Sequence, residues 1–156
     1  MAERPARVVL VGFMGAGKTA VGRRLAKRLG YRFEDLDQRI EAREGSTIAA
    51  LFEARGEAAF RALEEHEAQT LAAIPGLVVA TGGGAFAQPA TRALLQEGAL
   101  TVWLQCSLEA VLRRLAHPSA TDPAAGSIQV TVAPIRSVLQ PMVAGLGDLQ
   151  PVQVAI

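Results

Sequence analysis

The chain has 156 residues, half of them hydrophobic and a fifth charged, which fits one globular domain and excludes a disordered chain. Sixteen Lys and Arg against fifteen Asp and Glu leave a formal net charge of +1, so bulk charge does not favour nucleic-acid binding. The single cysteine, Cys106, cannot form an internal disulfide. One cysteine and two histidines are also too few to make a structural zinc site. The longest apolar runs are too short to span a bilayer. We expect a soluble, cytoplasmic protein that binds neither nucleic acid nor membrane.

Short apolar runs alternate with longer helical stretches along the chain, a pattern typical of a parallel sheet covered by helices. Strands are predicted at 8–11, 31–35, 77–81 and 101–104, and three of these runs are apolar enough to be buried on both faces. Helices are predicted at 18–29, 37–44, 48–55, 57–73, 89–96 and 108–115. In the fourth helix, apolar residues are mixed with Glu64 and Glu67, which predicts a solvated face.

The last quarter of the chain has a different composition. Residues 117–156 contain only three charged side chains, and five prolines leave room for short helices only. Two further strands are predicted there, at 130–133 and 152–156. The tail is therefore either a divergent lid and final helix or a frame-shifted or degraded ending.

The segment from Gly12 to Thr19 reads GFMGAGKT and fits the pattern G-x-x-x-x-G-K-[ST] in full. It follows an apolar strand and opens a helix, which is the context that a phosphate-binding loop requires. Its glycines let backbone N–H groups surround phosphate oxygens, and the helix N-terminus adds partial positive charge. Lys18 would reach the β- and γ-phosphates, and the Thr19 hydroxyl would ligate magnesium.

A carboxylate is also needed near the metal, and Asp35 and Asp37 are the best candidates. At the end of an extended strand, residues two apart point to the same side, so one could serve magnesium and the other a substrate hydroxyl. The alternative is that Asp37 caps the helix that follows it. The two roles are compatible.

Two later motifs complete a recognisable set: G-E-A-A-F-R-A-L-E at 56–64 and Thr-Gly-Gly-Gly at 81–84. With the phosphate loop and the Asp35-x-Asp37 pair, they occur in the order and spacing of shikimate kinases, which the chain resembles from about residue 8 to about residue 114. The resemblance implies a three-layer α/β P-loop NTPase fold with a central, mostly parallel five-stranded sheet. It also implies phosphoryl transfer from Mg-ATP to the 3-hydroxyl of shikimate, on the route to chorismate and the aromatic amino acids.

The resemblance also implies roles for individual residues. Asp35 joins Thr19 in holding magnesium, Asp37 binds the reacting hydroxyl and acts with Lys18 in catalysis, and Arg61, oriented by Glu64, grips the shikimate carboxylate. Nucleotide contacts are expected from Gly15, Ala16, Gly17, Lys18, Thr19, Ala20 and Arg114. Further acceptor contacts are expected from Gly82, Gly83, Gly84 and Arg136, in a pocket lined by Ile48, Phe52 and Phe60.

These residues also have plainer interpretations. Arg61 and Glu64 could form a surface ion pair, the triple glycine could be a flexible loop, and Phe52 and Phe60 could belong to the core only. The family pattern has a lid arginine where this chain has His117, so segment 115–133 is a candidate lid that lacks it. We therefore keep two alternatives: another small-molecule kinase, such as a gluconate-type enzyme, and a catalytically impaired nucleotide- or shikimate-binding module. A single domain over 1–156, acting as a monomer, is expected.

Overall fold

The structure, a computed structural model, describes residues 5–12, 16–105, 112, 129–132 and 152–153. The strands are β1 (Arg7–Val11), β2 (Arg32–Asp35), β3 (Leu77–Thr81), β4 (Ala99–Gln105), β5 (Gln129–Val132) and β6 (Val152–Gln153). The helices are α1 (Lys18–Leu29), α2 (Leu36–Glu44), α3 (Ile48–Ala72), α4 (Gly83–Ala87) and α5 (Pro89–Gln96). Among the described residues, no helix is both long and apolar enough to cross a membrane.

The sheet has the strand order β2-β3-β1-β4-β5-β6. The first four strands in that order are parallel, and β5 and β6 are each antiparallel to the preceding neighbour. The predicted α/β fold with a mostly parallel sheet is confirmed. The expected count of five strands is corrected to six, because β5 adds to the free edge of β4 and β6 then adds to β5.

The sheet is covered on both faces, which gives three layers. Successive residues of a strand point to opposite faces. Val9 and Val11 of β1 therefore belong to a core cluster that includes residues of α2, α3, α4 and α5, whereas Val8 and Leu10 pack with Ala26 of α1. The helix that follows the phosphate loop thus lies on the opposite face from the other four.

The burial of the strands follows their places in the sheet. All residues of β1 and β3 are buried; the apolar runs predict this for most of them, whereas Arg7 and Thr81 are buried polar residues at the strand ends. Strand β2 is partly exposed because it lies at the edge and pairs with β3 alone. Residues 99–104 of β4 mix buried and partly exposed positions, and Trp103 is half-buried.

The third helix is interrupted at Gly56, whose φ of 79° and ψ of 173° are not helical. A residue with a side chain rarely adopts such a positive φ, so glycine is needed at this break. The two predicted helices, 48–55 and 57–73, are therefore confirmed as segments on either side of it. Helix α4 was not predicted, and apart from residue 112 the predicted helix 108–115 lies outside the described residues.

Candidate active site

Three chain segments follow strands that end at the carboxyl edge of the sheet. In the parallel register, Val11 of β1 pairs with Thr81 of β3, and Asp35 of β2 pairs with Ala80. The chain segments that follow these three strands are the phosphate loop, the Asp35–Asp37 segment and the triple glycine. Ligands of open α/β sheets bind at this edge.

The start of the phosphate loop is shaped by close backbone approach. A Cβ atom on Gly12 would lie 2.8 Å from the carbonyl oxygen of Leu104, so a side chain has no room there. Gly17 has a φ of 91°, which favours glycine, and it directly precedes α1. The helix begins at Lys18 as predicted, and no side chain in the described part of the chain caps its N-terminus. Its first N–H groups are therefore suited to an anion.

The side chain of Lys18 is half-buried over this loop. Its Nζ donates a hydrogen bond to the carbonyl oxygen of Gly12 at 2.6 Å. Burial lowers the pKa of Lys18, while the charges of Asp35 and Asp37 act in the opposite direction. The lysine is therefore within electrostatic reach of both carboxylates.

Asp35, and not Asp37, caps the helix that follows. Helix α2 begins at Leu36, and the Oδ1 atom of Asp35 accepts hydrogen bonds from the backbone N–H groups of Asp37 (3.0 Å) and Gln38 (3.2 Å). The chain therefore turns helical directly after Asp35, instead of staying extended through Asp37 as the alternation argument assumed. The capping role considered for Asp37 is wrong, and its side chain lies in the first turn of α2.

Asp37 is partly buried, with negatively and positively charged side chains nearby. Burial and the nearby charges of Asp35 and Glu41 raise the pKa of Asp37, against the opposing effects of Lys18 and Arg61. A carboxylate with a raised pKa, next to a lysine and an arginine, is a typical candidate for a proton acceptor in catalysis.

Arg61 is held by two glutamates of its own helix. Its Nη1 lies 2.6 Å from Oε2 of Glu64, and its Nη2 lies 3.2 Å from Oε1 of Glu57. Glu64 is only 2% exposed, so this is no surface ion pair, and the solvated face predicted for this helix is wrong at that residue. Burial lowers the pKa of Arg61, but the hydrogen bonds and charges of Glu64 and Glu57 outweigh it and raise the pKa.

Two aromatic rings lie beside the same guanidinium group. Phe52 and Phe60 pack with ring centroids 4.5 Å apart, and the Arg61 Cζ atom lies 5.9 Å and 5.6 Å from the two centroids. Phe60 is buried in the core and Phe52 is half-buried. Both rings therefore belong to the core and also flank Arg61.

The triple glycine begins a short helix and is not a flexible loop. Gly82 immediately precedes α4, and a Cβ atom placed on it would lie 3.8 Å from Oδ2 of Asp37. A Cβ atom on Gly84 would lie 2.6 Å from Nη1 of Arg61, whereas one on Gly83 would meet nothing within 4 Å. The segment thus packs between Asp37 and Arg61 and leaves open space at its middle residue.

The structure brings together the central residues that the sequence singled out. Asp37 interacts electrostatically with Lys18, Asp35 and Arg61, and Lys18 also interacts with Asp35. Gly82 lies beside Asp37, and Gly84 lies beside Arg61. Thr19 is half-buried in the first turn of α1, Ala16 is buried and Ala20 is exposed. Three other predicted site residues, Gly15, Arg114 and Arg136, lie outside the described residues.

The donors at this edge fit a magnesium ion carried by a nucleotide. Magnesium prefers oxygen ligands and is usually held by one or two protein carboxylates together with phosphates and water. Asp35 uses one carboxylate oxygen to cap α2, and Thr19 adds a hydroxyl. In the described ranges, no group of three or more His, Cys, Asp or Glu side chains could hold a metal by itself.

Sequence reasoning missed a second buried carboxylate, Glu67, which is 4% exposed and accepts hydrogen bonds from Arg39 and Arg43 of α2. The sequence pattern predicted that Glu67 lies on the solvated face, because its arginine partners are 28 and 24 residues away in the chain and no local pattern indicates them. A carboxylate in the apolar stripe of an amphipathic helix is the feature that could have revealed it.

Comparison with known proteins agrees with this geometry. The family model described as shikimate kinase matches residues 14–130. A shikimate kinase of Geobacter sulfurreducens is 54% identical over 108 residues, which are 69% of this chain and 60% of that protein. One from Paramagnetospirillum magneticum is 50% identical over 107 residues, covering 69% of this chain and 55% of its own length. The chain thus spans less than two thirds of these relatives.

A solved structure gives the same result in three dimensions. The shikimate kinase of Acinetobacter baumannii in complex with shikimate is similar to this chain with a TM-score of 0.69 and 42% identity. The likeness covers 74% of this chain and 65% of that one. With the family match over three quarters of its residues, the chain belongs to the shikimate kinase family.

Proposed function

We propose that this chain transfers the γ-phosphoryl group of ATP to the 3-hydroxyl of shikimate. The observation that carries the proposal is the placement of the Gly82–Gly84 segment between Asp37 and Arg61, with Lys18 in electrostatic contact with Asp37. An acceptor that carries both a carboxylate and a hydroxyl matches a fixed arginine beside a carboxylate of raised pKa. Membership of the shikimate kinase family supports the same acceptor.

The acceptor side consists of Arg61, Asp37 and the triple glycine. Arg61 binds the shikimate carboxylate, because a guanidinium group pairs with a carboxylate through parallel hydrogen bonds. Glu64 and Glu57 hold the guanidinium in place before the acceptor arrives. Gly83, which has open space where its side chain would be, lets the backbone approach the ring of the acceptor.

The donor side consists of the phosphate loop and the start of α1. Gly15, Ala16, Gly17 and Ala20 surround the phosphates, and Lys18 contacts the β- and γ-phosphates. Thr19 and Asp35 hold magnesium, which when bound neutralises charge on the phosphate oxygens. Lys18 is pre-positioned for this role, because it already spans the loop to the carbonyl oxygen of Gly12.

In the reaction, the 3-hydroxyl oxygen forms a bond to the γ-phosphorus while the bond from that phosphorus to the β–γ bridging oxygen breaks. Asp37 accepts the proton of the hydroxyl, and ADP leaves with the bridging oxygen. Lys18 stabilises the charge that develops on the transferred group. Because the protein holds the hydroxyl and the γ-phosphoryl group in place before they react, positioning supplies much of the rate enhancement.

Arg114 and Arg136 are assigned by the resemblance alone, to the adenine and to the shikimate carboxylate, and segment 115–133 to a lid. Every residue in the assignment belongs to one chain, so we propose a monomer, which light scattering can check. The use of ATP and the absence of any internal disulfide, which a single cysteine cannot form, favour the cytoplasm as the proposed location.

The test is an ADP-release assay with shikimate and gluconate as separate acceptors, backed by calorimetric titration of each acceptor. We expect ADP release when shikimate is the acceptor and none when gluconate is the acceptor. Asp37→Asn should abolish the release. The matched control is Gln38→Ala, an exposed neighbour in the same helical turn, which should keep the activity.

Gluconate-dependent release would contradict the proposed acceptor. Shikimate binding without ADP release would instead identify the impaired binding module, the alternative favoured by the low charge of residues 117–156.

A further inference from the structure

Helix α3 carries a buried carboxylate outside the proposed site. Glu67 is 4% exposed, and its partners both belong to α2. Its Oε2 accepts a hydrogen bond from Nε of Arg39 at 3.1 Å, and its Oε1 accepts one from Nη1 of Arg43 at 2.7 Å. Both oxygens of this carboxylate are therefore committed to one neighbouring helix.

Arg39 extends this contact to the sheet. Its Nη1 lies 3.4 Å from Oε2 of Glu34 on strand β2. The Arg39 side chain thus joins β2, α2 and α3 at one point, two residues after Asp37. The second arginine, Arg43, is one helical turn further along α2.

The same helix also holds Arg61 through a neighbouring carboxylate. Glu64 precedes Glu67 by three residues, about one turn, and its partner is Arg61. One turn of α3 therefore holds the arginine proposed for the acceptor, and the next turn holds the helix that carries Asp37. Among the described residues, no other ion pair between these two helices involves a buried carboxylate.

We infer that Glu67 is a positioning residue: it fixes α2 against α3 and thereby sets the place of Asp37 relative to Arg61. The inference rests on the proposed function, because that function gives the distance between Asp37 and Arg61 its meaning. Glu67 itself contacts neither ligand. Its effect on the acceptor acts through the orientation of α2.

The contact of Glu67 with Arg39 and Arg43 restricts the movement of α2 more than apolar packing would. A buried carboxylate with two arginine partners gives a directed, charge-assisted link, whereas apolar contacts between helices allow small sliding movements. Glutamine at position 67 keeps the volume but loses the charge, and its amide NH₂ cannot accept a hydrogen bond from an arginine. In Glu67→Gln, one of the two arginines therefore loses its partner, and α2 gains freedom to shift.

The test compares Glu67→Gln with Glu65→Gln in the full chain. Glu65 is exposed on the same helix and is the matched control. Calorimetry measures the binding of shikimate and, separately, of ADP with Mg²⁺. We expect Glu67→Gln to weaken shikimate binding about tenfold, which corresponds to about 1.4 kcal/mol. ADP binding should change much less, because the phosphate loop and α1 do not contact Glu67, and only the proposed magnesium ligand Asp35, which caps α2, is shared with the shifted helix.

Hydrogen exchange of the backbone supplies a readout that does not depend on any ligand. Glu67→Gln should speed exchange in α2 (Leu36–Glu44) and leave α1 (Lys18–Leu29) unchanged. If Glu67→Gln does not fold, Glu67→Asp takes its place. Aspartate keeps the charge but withdraws it by one methylene, and its effects should have the same direction and be smaller.

Unchanged shikimate affinity with unchanged α2 exchange would overturn the inference. Equal losses for shikimate and ADP would overturn it as well, since they would indicate a general loss of folding. If the unmodified protein binds ADP but not shikimate, the proposed function fails separately. Exchange then decides alone: faster exchange confined to α2 supports the positioning role, and unchanged exchange overturns it.

Discussion

Helix α1 and the pair α2–α3 lie on opposite faces of the sheet and are held there by different interactions. Helix α1 is held by close apolar packing: a Cβ atom on Gly22 would lie 2.2 Å from the Phe33 ring. Seven ion pairs lie within residues 34–67, on or beside α2 and α3. The proposed donor side is therefore held by steric fit, and the proposed acceptor side is held by charge in addition to its apolar core contacts.

This difference has a consequence for how each side responds to its surroundings. Apolar contacts change little with pH or salt, whereas ion pairs depend on the protonation of the carboxylates and are screened by salt. A change on one side should therefore alter one ligand and spare the other. Four predictions test how each side is held and what each side contributes.

The largest effect is expected from Lys18→Ala. Removing a charged group that stabilises the transferred phosphoryl group should lower the rate about 100-fold to 1,000-fold. The fold should survive, since the Nζ of Lys18 is bound to a loop carbonyl and not to the core. The ADP-release assay and the melting temperature measure both quantities. Lys27→Ala, an exposed lysine of the same helix, is the control, and full activity in Lys18→Ala would refute its role.

The next effect is expected from Arg61→Ala on shikimate binding. A hydrogen bond to a charged group contributes about 1.5–3 kcal/mol, so the dissociation constant should rise about 10-fold to 100-fold. The dissociation constant of ADP with Mg²⁺ should be unchanged. Arg55→Ala removes an exposed arginine from the same helix and should affect neither ligand. Equal losses for the two ligands in Arg61→Ala would indicate a folding role instead.

Gly22→Ala should damage the donor side through packing alone. The added methyl group would overlap the Phe33 ring, and overpacking of this kind costs about 1–3 kcal/mol of unfolding free energy. Chemical denaturation measures the loss. Gly83→Ala is the matched control for stability, because its methyl group meets nothing within 4 Å. A Gly22→Ala protein as stable as the unmodified one would show that α1 can move away from the sheet at no cost.

The smallest effect is a difference in pH dependence between two carboxylates of α3. Burial raises the pKa of Glu64 in spite of Arg61, so its contribution to stability is complete below the unfolded pKa and is lost as pH rises through the folded pKa. Burial acts the same way on Glu67, but the hydrogen bonds of Arg43 and Arg39 outweigh it and lower the pKa. Its contribution is present above the unfolded pKa, about 4.3, and is lost as pH falls through the folded pKa.

Unfolding free energies measured across this acidic range in Glu64→Gln and Glu67→Gln check the pair. The unmodified protein loses the Glu64 contribution to stability as pH rises, and Glu64→Gln should no longer show that loss. It loses the Glu67 contribution as pH falls, and Glu67→Gln should no longer show that loss. Parallel changes in both variants would contradict the opposite directions of the two pKa values.

The elements with local sequence features were predicted well. Helix α1 begins after the last loop glycine and ends before Gly30, which has the positive φ common at helix C-termini, and α5 begins at Pro89. The run 77–81 is apolar up to its last residue, Thr81, and forms a fully buried strand. The pairing of Arg61 with Glu64 was also foreseen, because residues three apart on a helix lie side by side.

Other features depend on contacts between distant parts of the chain. Glu67 is buried because Arg39 and Arg43 reach it from another helix, and Gly22 is required because Phe33 of β2 lies against it. The choice of Asp35 over Asp37 as the cap of α2 depends on where β2 stops pairing with β3, which the local sequence leaves open.

The sequence by itself determined the phosphate-loop motif and most of the strands and helices along the chain, because these follow from motifs and from periodicity within single segments, and the family resemblance supplied most of the candidate site residues. Only the tertiary structure decided which carboxylates are buried and which helix each one holds. Glu67 illustrates the reason: a glutamate on a helix looks the same in sequence whether it faces water or an arginine of another helix, and burial of its charge is tolerated only when a partner from elsewhere in the fold compensates it.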